Sequence, residues 1–274
     1  MGCARVLYRR RRFMTASALR IASLVPSLTE LVVALGLGPR LVARTGFCIH
    51  PAQALARVPK VGGTKDVNLE KLRRLAPSHV LVNIDENRLE TARALEAFVP
   101  HVIVTHPCAP LDNLALIDRL AEAFGDEPGV AQRAAELKRE VAQELALCAA
   151  GQWELRRVLY LIWRQPWMTV ARDTYISGML ASVGWQSLPA VAGGAAGAAR
   201  YPVVDEAAPW LRSVELVLMS SEPCRFSASD FDAAQALCPA ARVWPVDGET
   251  ISWYGPRVVA GLRYLRDLAS KLPR

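Results

Sequence analysis

The nucleophilic and ionisable residues of this 274-residue chain show none of the arrangements that common enzyme families use. The chain contains no G-x-S-x-G nucleophile elbow, no G-x-x-x-x-G-K-[ST] phosphate loop and no H-E-x-x-H zinc motif. Its six cysteines are widely scattered, and the spacing of zinc ligands is absent. We therefore predict no catalytic residue, no resident metal and no cofactor, and we predict that the chain is not an enzyme.

Two of the four histidines, His50 and His106, fall in predicted loops at or after the ends of strands. Either could contact a ligand or donate a bond to a metal. Two loop histidines without a paired carboxylate nevertheless make a poor metal site. His79 and His101 begin apolar strands, and we interpret them as structural.

All seven tryptophans lie after residue 150, and three of them fall directly after predicted strands. Trp163 and Trp167 follow one strand, and Trp253 follows the last strand. Large flat side chains at such positions suit a large, partly apolar, planar ligand, with Arg164 and Glu249 as polar anchors. We interpret the other four tryptophans as core residues: Trp153, Trp185, Trp210 and Trp244.

The strands that precede these tryptophans and histidines must position them. The first half of the chain alternates apolar strands with amphipathic helices. The predicted strands are Ile21–Val25, Leu41–Arg44, His79–Val82 and His101–Thr105. Ser27–Glu30 has the pattern of a capping box and predicts the start of a helix that runs to about Leu35. Strands that alternate with helices predict a parallel sheet with helices on both faces.

The most regular periodicity lies between residues 130 and 148, where apolar residues recur every three or four positions. This stripe predicts one helix of about 20 residues, or about 30 Å. After it the pattern of the first half returns. Arg20-Ile21 matches Arg157-Val158 at an offset of 137 residues, Asn68–Glu70 matches Val204–Glu206 at 136, and His101–Ile103 matches Ala241–Val243 at 140.

The repeat predicts an α/β fold in which two Rossmann-like lobes with parallel sheets are bridged by one long α-helix. The predicted organisation is a basic leader over residues 1–19, an N-terminal lobe over 20–125, a linking helix over 126–156 and a C-terminal lobe over 157–274. A cleft between two such lobes is where α/β sheets usually hold ligands.

The net charge of +7 is concentrated in the leader, because six arginines and no acid occur in the first 20 residues. The remainder is nearly neutral, so we predict no nucleic-acid partner. The segment after the arginines is too short and too polar for a secretory signal. No apolar run approaches the roughly 18–20 residues of a membrane span. We predict a cytoplasmic monomer without a transmembrane segment, with the periplasm as the alternative location.

Several segments resemble the vitamin B12-binding, iron-siderophore-binding and haem-binding proteins of ABC importers. Arg20–Leu31 is similar to their opening strand and helix, and Val61–Glu70 and Leu75–Val82 are similar to the segments that follow. In the second half, Ser220–Pro223 and Asp247–Gly255 most resemble a cobalamin-binding-protein-like subgroup. The resemblance extends from about residue 20 to the C-terminus, and it implies the fold of class III periplasmic binding proteins.

The resemblance also implies functional positions. In the vitamin B12 receptor each lobe carries a surface glutamate that docks on the membrane permease, and the matching residues here are Glu70 and Glu206. Both could instead favour the first turn of a helix, where an acid contributes about 0.3–1 kcal/mol. Thr64 replaces the tryptophan that the family has after Val-Gly-Gly. Together with the residues inferred above, the expected ligand-binding set is Phe47, His50, Thr64, Trp163, Arg164, Trp167, Tyr201, Glu222, Glu249, Trp253 and Tyr254.

We therefore predict a non-catalytic protein that clamps a corrinoid or a related metal chelate for an ABC permease. The ligand could be cobalamin, haem or a ferric siderophore. One alternative is a cytoplasmic carrier or sensor of the same ligand. The other is an enzyme acting on a tetrapyrrole or metal complex, with Glu249, His50 or Glu222 as acid or base.

Overall fold

The computed structural model describes residues 19–272. Almost all of the predicted basic leader, residues 1–18, lies outside the described residues. Within the described range, the strands form two four-stranded sheets, one in each half of the chain.

The first half contains one sheet and the helices that cover it. In chain order its elements are β1 (Ile21–Ser23), α1 (Pro26–Ala34), β2 (Leu41–Arg44), α2 (Ala52–Leu55), α3 (Leu69–Arg74), β3 (His79–Asn83), α4 (Leu89–Glu96), β4 (His101–Thr105) and α5 (Asp112–Phe124). The long helix α6 (Val130–Ala150) follows. Its 21 residues agree with the helix that the apolar stripe predicts.

The second half repeats this plan. Its elements are β5 (Arg156–Leu161), α7 (Tyr175–Ala181), β6 (Trp185–Ser187), β7 (Leu216–Ser220), α8 (Ala228–Leu237), β8 (Arg242–Val246), α9 (Gly248–Ser252) and α10 (Arg257–Lys271). The sequence pattern did not predict α2, β6 or α9. Each has five residues or fewer, which is too short for a periodic apolar signal, and β6 is defined by its pairing with β5.

The two sheets have the same topology, with strand orders β2-β1-β3-β4 and β6-β5-β7-β8, and the paired strands of both are parallel. The prediction of an α/β fold with two parallel sheets is therefore confirmed. The register makes Ile21 equivalent to Val158, as the sequence offset predicts. His101 is equivalent to Arg242, one residue later than the predicted Ala241.

The predicted capping box at Ser27–Glu30 is wrong. Pro26 occupies the first turn of α1 and Val25 is its N-cap residue, so that Ser27 already lies inside the helix. Thr29 instead donates its hydroxyl to Val25 O at 2.8 Å. The helix therefore begins earlier than the capping pattern indicates, and Glu30 remains free to bind elsewhere.

One hydrophobic core runs through both halves and contains residues of β1, α1, α5, α6, β5, α7 and α10. The stripe of α6 contributes Val130, Ala134, Val141 and Cys148 to this core. Glu144, which is also buried on α6, accepts hydrogen bonds from Arg263 Nε at 2.6 Å and Arg266 Nη2 at 2.5 Å. Helix α6 is thus anchored to α10 by apolar packing and by two ion pairs.

Two smaller apolar clusters fill the remaining faces of the sheets, one in each half. With both faces covered, the carboxyl ends of the strands are where functional loops emerge. In residues 19–272 no helix has the length and apolar composition required to cross a membrane.

Candidate functional site

A cleft of about 730 Å³ lies between the loops that follow the strands of the two sheets. This volume falls within the range of about 300–1,000 Å³ that small-molecule sites occupy. The strand ends supply its polar groups in a repeated manner. Asp85 and Glu222 each lie two residues beyond the end of a strand, β3 and β7 respectively, and these two strands are equivalent in the two sheets.

Most of the residues expected to bind ligand line this cleft. They are Phe47, Thr64, Trp163, Tyr201, Glu222, Glu249, Trp253 and Tyr254. Phe47 and Thr64 come from the first half of the chain and the others from the second half, so the cleft brings both halves together. Phe47 and Trp163 are 61% and 43% exposed, which leaves both rings available to a ligand.

His50 lies beside the cleft and is held by groups of the second half. Its Nε2 atom is 3.2 Å from Glu249 Oε2, and its ring meets the Trp253 ring edge-on at 5.8 Å between centroids. His106 is likewise 3.5 Å from a carboxylate oxygen of Asp85. Both loop histidines therefore have a carboxylate partner, contrary to the sequence interpretation, because each partner comes from a distant part of the chain.

Two expected ligand-binding residues lie elsewhere. Trp167 is 1% exposed and belongs to the core of the second half, where its ring packs against Phe226. Arg164 stacks over Trp167 at 4.2 Å and lies 3.5 Å from Asp230. These placements correct the expectation for both residues.

The cause is a reversal of the chain directly after β5. Trp163 pairs antiparallel with Met168, and Ile162 N–H donates to Met168 O. This reversal exposes Trp163 and Met168 to the cleft but turns Trp167 into the core. The expectation that Trp244 is a core residue is also wrong, because it lies on β8 and is 44% exposed.

Trp253 has a fixed orientation at the cleft wall. Its indole Nε1 donates to Glu222 Oε1 at 2.8 Å, and the Arg257 guanidinium lies 4.5 Å from its ring centroid. Arg257 in turn binds Glu30 at 2.6 Å and lies 3.2 Å from Glu249. Because Glu30 belongs to α1, this group of residues ties the second half of the chain to the first.

The sequence reasoning missed an ion pair across the cleft. Arg200, which is 1% exposed, binds Asp85 with its Nε and Nη2 atoms at 2.7 and 3.0 Å. Arg200 also donates to Gly194 O, and the Asp173 carboxylate accepts from the N–H groups of Gly193 and Gly194. The glycine-rich segment at Gly193 and Gly194 thus holds Arg200 in place.

Glu86 is a half-buried acid that lines the cleft. Burial raises the pKa of Glu86 to about 7, although a hydrogen bond from the Tyr254 hydroxyl, 3.2 Å away, opposes this shift. Burial also raises the pKa of Glu222, against hydrogen bonds from Ser252 and Trp253. Both carboxyl groups are hydrogen-bond acceptors in the ionised state. Within residues 19–272, no three His, Cys, Asp or Glu side chains form a group that could hold a metal ion.

The two residues expected to dock on a permease are far apart in sequence and both exposed. Glu70 lies in the first turn of α3. Glu206 lies in a turn that precedes a short 3-10 helix at Pro209–Ser213, and it belongs to no helix. The alternative explanation, an acid in the first turn of a helix, therefore applies to Glu70 and fails for Glu206.

Comparisons with known proteins agree with this architecture. The model of the family described as periplasmic binding protein matches residues 21–221. A vitamin B12-binding protein of Vibrio parahaemolyticus is 28% identical over 251 residues, which cover 88% of this chain and 85% of that protein. One of Photorhabdus laumondii is 32% identical over 128 residues, and one of Vibrio cholerae is 28% identical over 165. In those two alignments the chain spans about half the length of its relatives, 46% and 59%.

Solved structures show the same fold. The periplasmic vitamin B12 binding protein of Vibrio cholerae matches with a TM-score of 0.76 and 21% identity, over 92% of this chain and 98% of that one. The periplasmic haem-binding protein of Roseiflexus matches with a TM-score of 0.73 and 22% identity, over 92% and 100% of the two chains. The similar proteins are periplasmic binding proteins, which is consistent with the alternative prediction of a periplasmic location. The prediction of a cytoplasmic location is not supported.

The burial of Glu86 predicts a pH-dependent stability. Its pKa of about 7 exceeds the ordinary 4.5, so the folded state holds this proton more tightly than the unfolded state. Its contribution to the free energy of unfolding therefore falls as the pH rises from 4.5 to about 7. We expect the free energy of unfolding of Glu86→Gln, measured by urea denaturation, to exceed that of the wild type by about 1–3 kcal/mol at about pH 8. At about pH 4 the two values should be equal.

The matched control is Glu140→Gln on the exposed face of α6, which removes one carboxylate outside the cleft. This substitution should change the free energy of unfolding by less than about 0.5 kcal/mol at either pH. A constant difference between Glu86→Gln and the wild type across this pH range would contradict the burial of an ionisable Glu86.

Proposed function

Because this chain belongs to the family of periplasmic binding proteins, we propose that it is the substrate-binding protein of an ABC importer and that its cleft clamps a corrinoid or a related metal chelate. The observation that carries the proposal is the aromatic cleft between two parallel sheets. The chain is a binding protein rather than an enzyme, in agreement with relatives that are named as binding proteins.

The aromatic wall favours a large planar ligand. Phe47 and Trp163 come from opposite halves of the chain, and both present exposed rings at the cleft. Aromatic faces stack on flat conjugated ligands, and such contacts contribute beyond the area that they bury. Thr64 lies where the resemblance expects a tryptophan, so on this side Phe47 supplies the stacking surface. The Phe47 ring lies against Gly63, 3.3 Å from the position that a β-carbon would take.

The division into an N-terminal lobe over 20–125, a linking helix over 126–156 and a C-terminal lobe over 157–274 forms part of this proposal. It is supported by the two sheets of equal topology and by the position of α6 between them. Their common core and the cross-lobe bonds of Arg257 favour limited closure around the ligand over a wide hinge motion.

We further propose that the protein acts in the periplasm, as the family does, and that a cytoplasmic carrier is the alternative. Cell fractionation distinguishes the two locations. Glu70 and Glu206 are the docking residues for the permease in this proposal. Both are exposed, and neither carboxylate forms an ion pair within the described part of the chain, so both can accept arginines of a partner.

Replacing Trp163 with alanine should weaken ligand binding. The loss of one stacking ring is expected to cost about 1–3 kcal/mol, or roughly a fivefold to 150-fold rise in Kd for dicyanocobinamide measured by fluorescence quenching. Trp244→Ala is the matched control, because this ring is equally exposed, at 44%, but lies on β8 outside the cleft. Equal affinities of the two variants would show that Trp163 does not stack on the ligand. No quenching by cobinamide, cobalamin, haem or ferric siderophores would refute the proposed ligand class.

Reversing the charge of the docking residues should affect the permease and spare the ligand. In proteoliposomes that contain the cognate permease and ATPase, Glu70→Arg and Glu206→Arg should each lower the stimulation of ATP hydrolysis at least about tenfold, because each places arginine against arginine. Glu140→Arg makes the same charge change elsewhere on the surface and should have little effect. Full stimulation by both reversed variants would contradict the docking role.

A further inference from the structure

The charged groups that line the cleft are mostly carboxylates. They comprise four carboxylates, Asp85, Glu86, Glu222 and Glu249, and one ammonium group, Lys65. The Lys65 ammonium group donates a hydrogen bond to the backbone oxygen of Asp85 at 2.7 Å, so part of its donor capacity is already used. The charged side chains that line the cleft are therefore predominantly acceptors.

Two guanidinium groups compensate part of this charge. Arg200 neutralises Asp85 through an ion-pair contact of 2.7 Å at Nε and a hydrogen bond of 3.0 Å from Nη2. Arg257 serves two carboxylates at once, because it lies 2.6 Å from Glu30 and 3.2 Å from Glu249. Even with both arginines included, the cleft therefore retains an excess of negative charge.

Glu86 and Glu222 form no ion pair within residues 19–272, although Lys65 lies near enough to Glu86 to lower the pKa of that carboxyl group in part. Glu86 Oε1 accepts from the hydroxyl of Tyr254, and Glu222 Oε1 accepts from Ser252 Oγ and Trp253 Nε1, both at 2.8 Å. All three donors are neutral. No cation lies within ion-pair distance of either carboxylate among residues 19–272. Each therefore keeps acceptor capacity for a group that the ligand brings.

We propose that the cleft selects metal chelates by their peripheral groups: it accepts a macrocycle whose rim carries hydrogen-bond donors such as primary amides, and rejects one whose rim carries carboxylates. This inference rests on the proposed function, of which it names the substrate class. An amide N–H can donate to Glu86 and Glu222, whereas a carboxylate at the same place meets like charge in a partly desolvated site, where repulsion is screened poorly.

A matched pair of corrinoids tests the inference. Dicyanocobinamide carries amides at its rim, and dicyanocobyrinic acid has the same ring with carboxylates. At about pH 8, above the pKa of about 7 that burial gives Glu86, we expect cobinamide to bind at least about tenfold more tightly. Similar affinities for the two would overturn the charge selection and leave the proposed function standing. Binding of neither would refute the corrinoid proposal and this inference with it.

Variants that remove the charges of Glu86 and Glu222 test whether these two acids cause the discrimination between amides and carboxylates. In Glu86→Gln with Glu222→Gln, the amide oxygens can still accept from Tyr254 and Trp253, so the local hydrogen bonds persist. Affinity for cobyrinic acid should rise at least about tenfold, which narrows the gap to cobinamide. Glu140→Gln on α6 is the control and should leave the ratio of the two affinities as in the wild type. Thermal unfolding verifies that each variant is folded, and an unchanged ratio in the folded double variant would overturn the role of these two acids.

Discussion

The two halves of the molecule are joined at a buried hydrogen bond from the N–H group of Gly255 to the side-chain oxygen of Asn113, with 2.6 Å between the two atoms. Asn113 is fully buried on α5, and its amide nitrogen donates to Pro110 O and to the Tyr175 hydroxyl. A glycine is required here, because φ is +76° and a β-carbon would lie 3.2 Å from Ser27 O. The close approach of the two halves depends on this contact, since leaving such a buried amide unsatisfied costs about 1–3 kcal/mol.

The cleft follows from that contact. The residues before and after Gly255 are the ones that shape the second wall: Trp253 and Tyr254 line the cleft, and Arg257 reaches across to Glu30 on α1. With this segment held against the first half, and with α6 packed on α10, the carboxyl ends of both sheets must face each other. The same segment also presents Trp253 to Glu222, so that the geometry of the wall and the placement of the acids have one origin.

Much of the fold could be predicted from the sequence, because apolar periodicity is a local property: the strands other than β6, the helix α6 and the repeat follow from it. The site was predictable where a residue lies in the loop region after a strand, as with Trp163 after β5 and Trp253 after β8. It was not predictable where the chain reverses, because the pattern gives no sign that Trp167, six residues after β5 ends at Leu161, is buried. Nor could the sequence indicate that Asp85 binds Arg200, because 115 residues separate them and only the folded halves bring them together.

In the proposed complex a corrinoid lies between the two lobes, against the aromatic wall. Anomalous diffraction at the cobalt edge, from crystals grown with dicyanocobinamide, tests it most directly because it locates the metal without reference to the protein. We expect one cobalt peak inside the cleft, between Phe47 of the first half and Trp163 of the second. A cobalt peak elsewhere on the molecule, or none in crystals that diffract well, would contradict it.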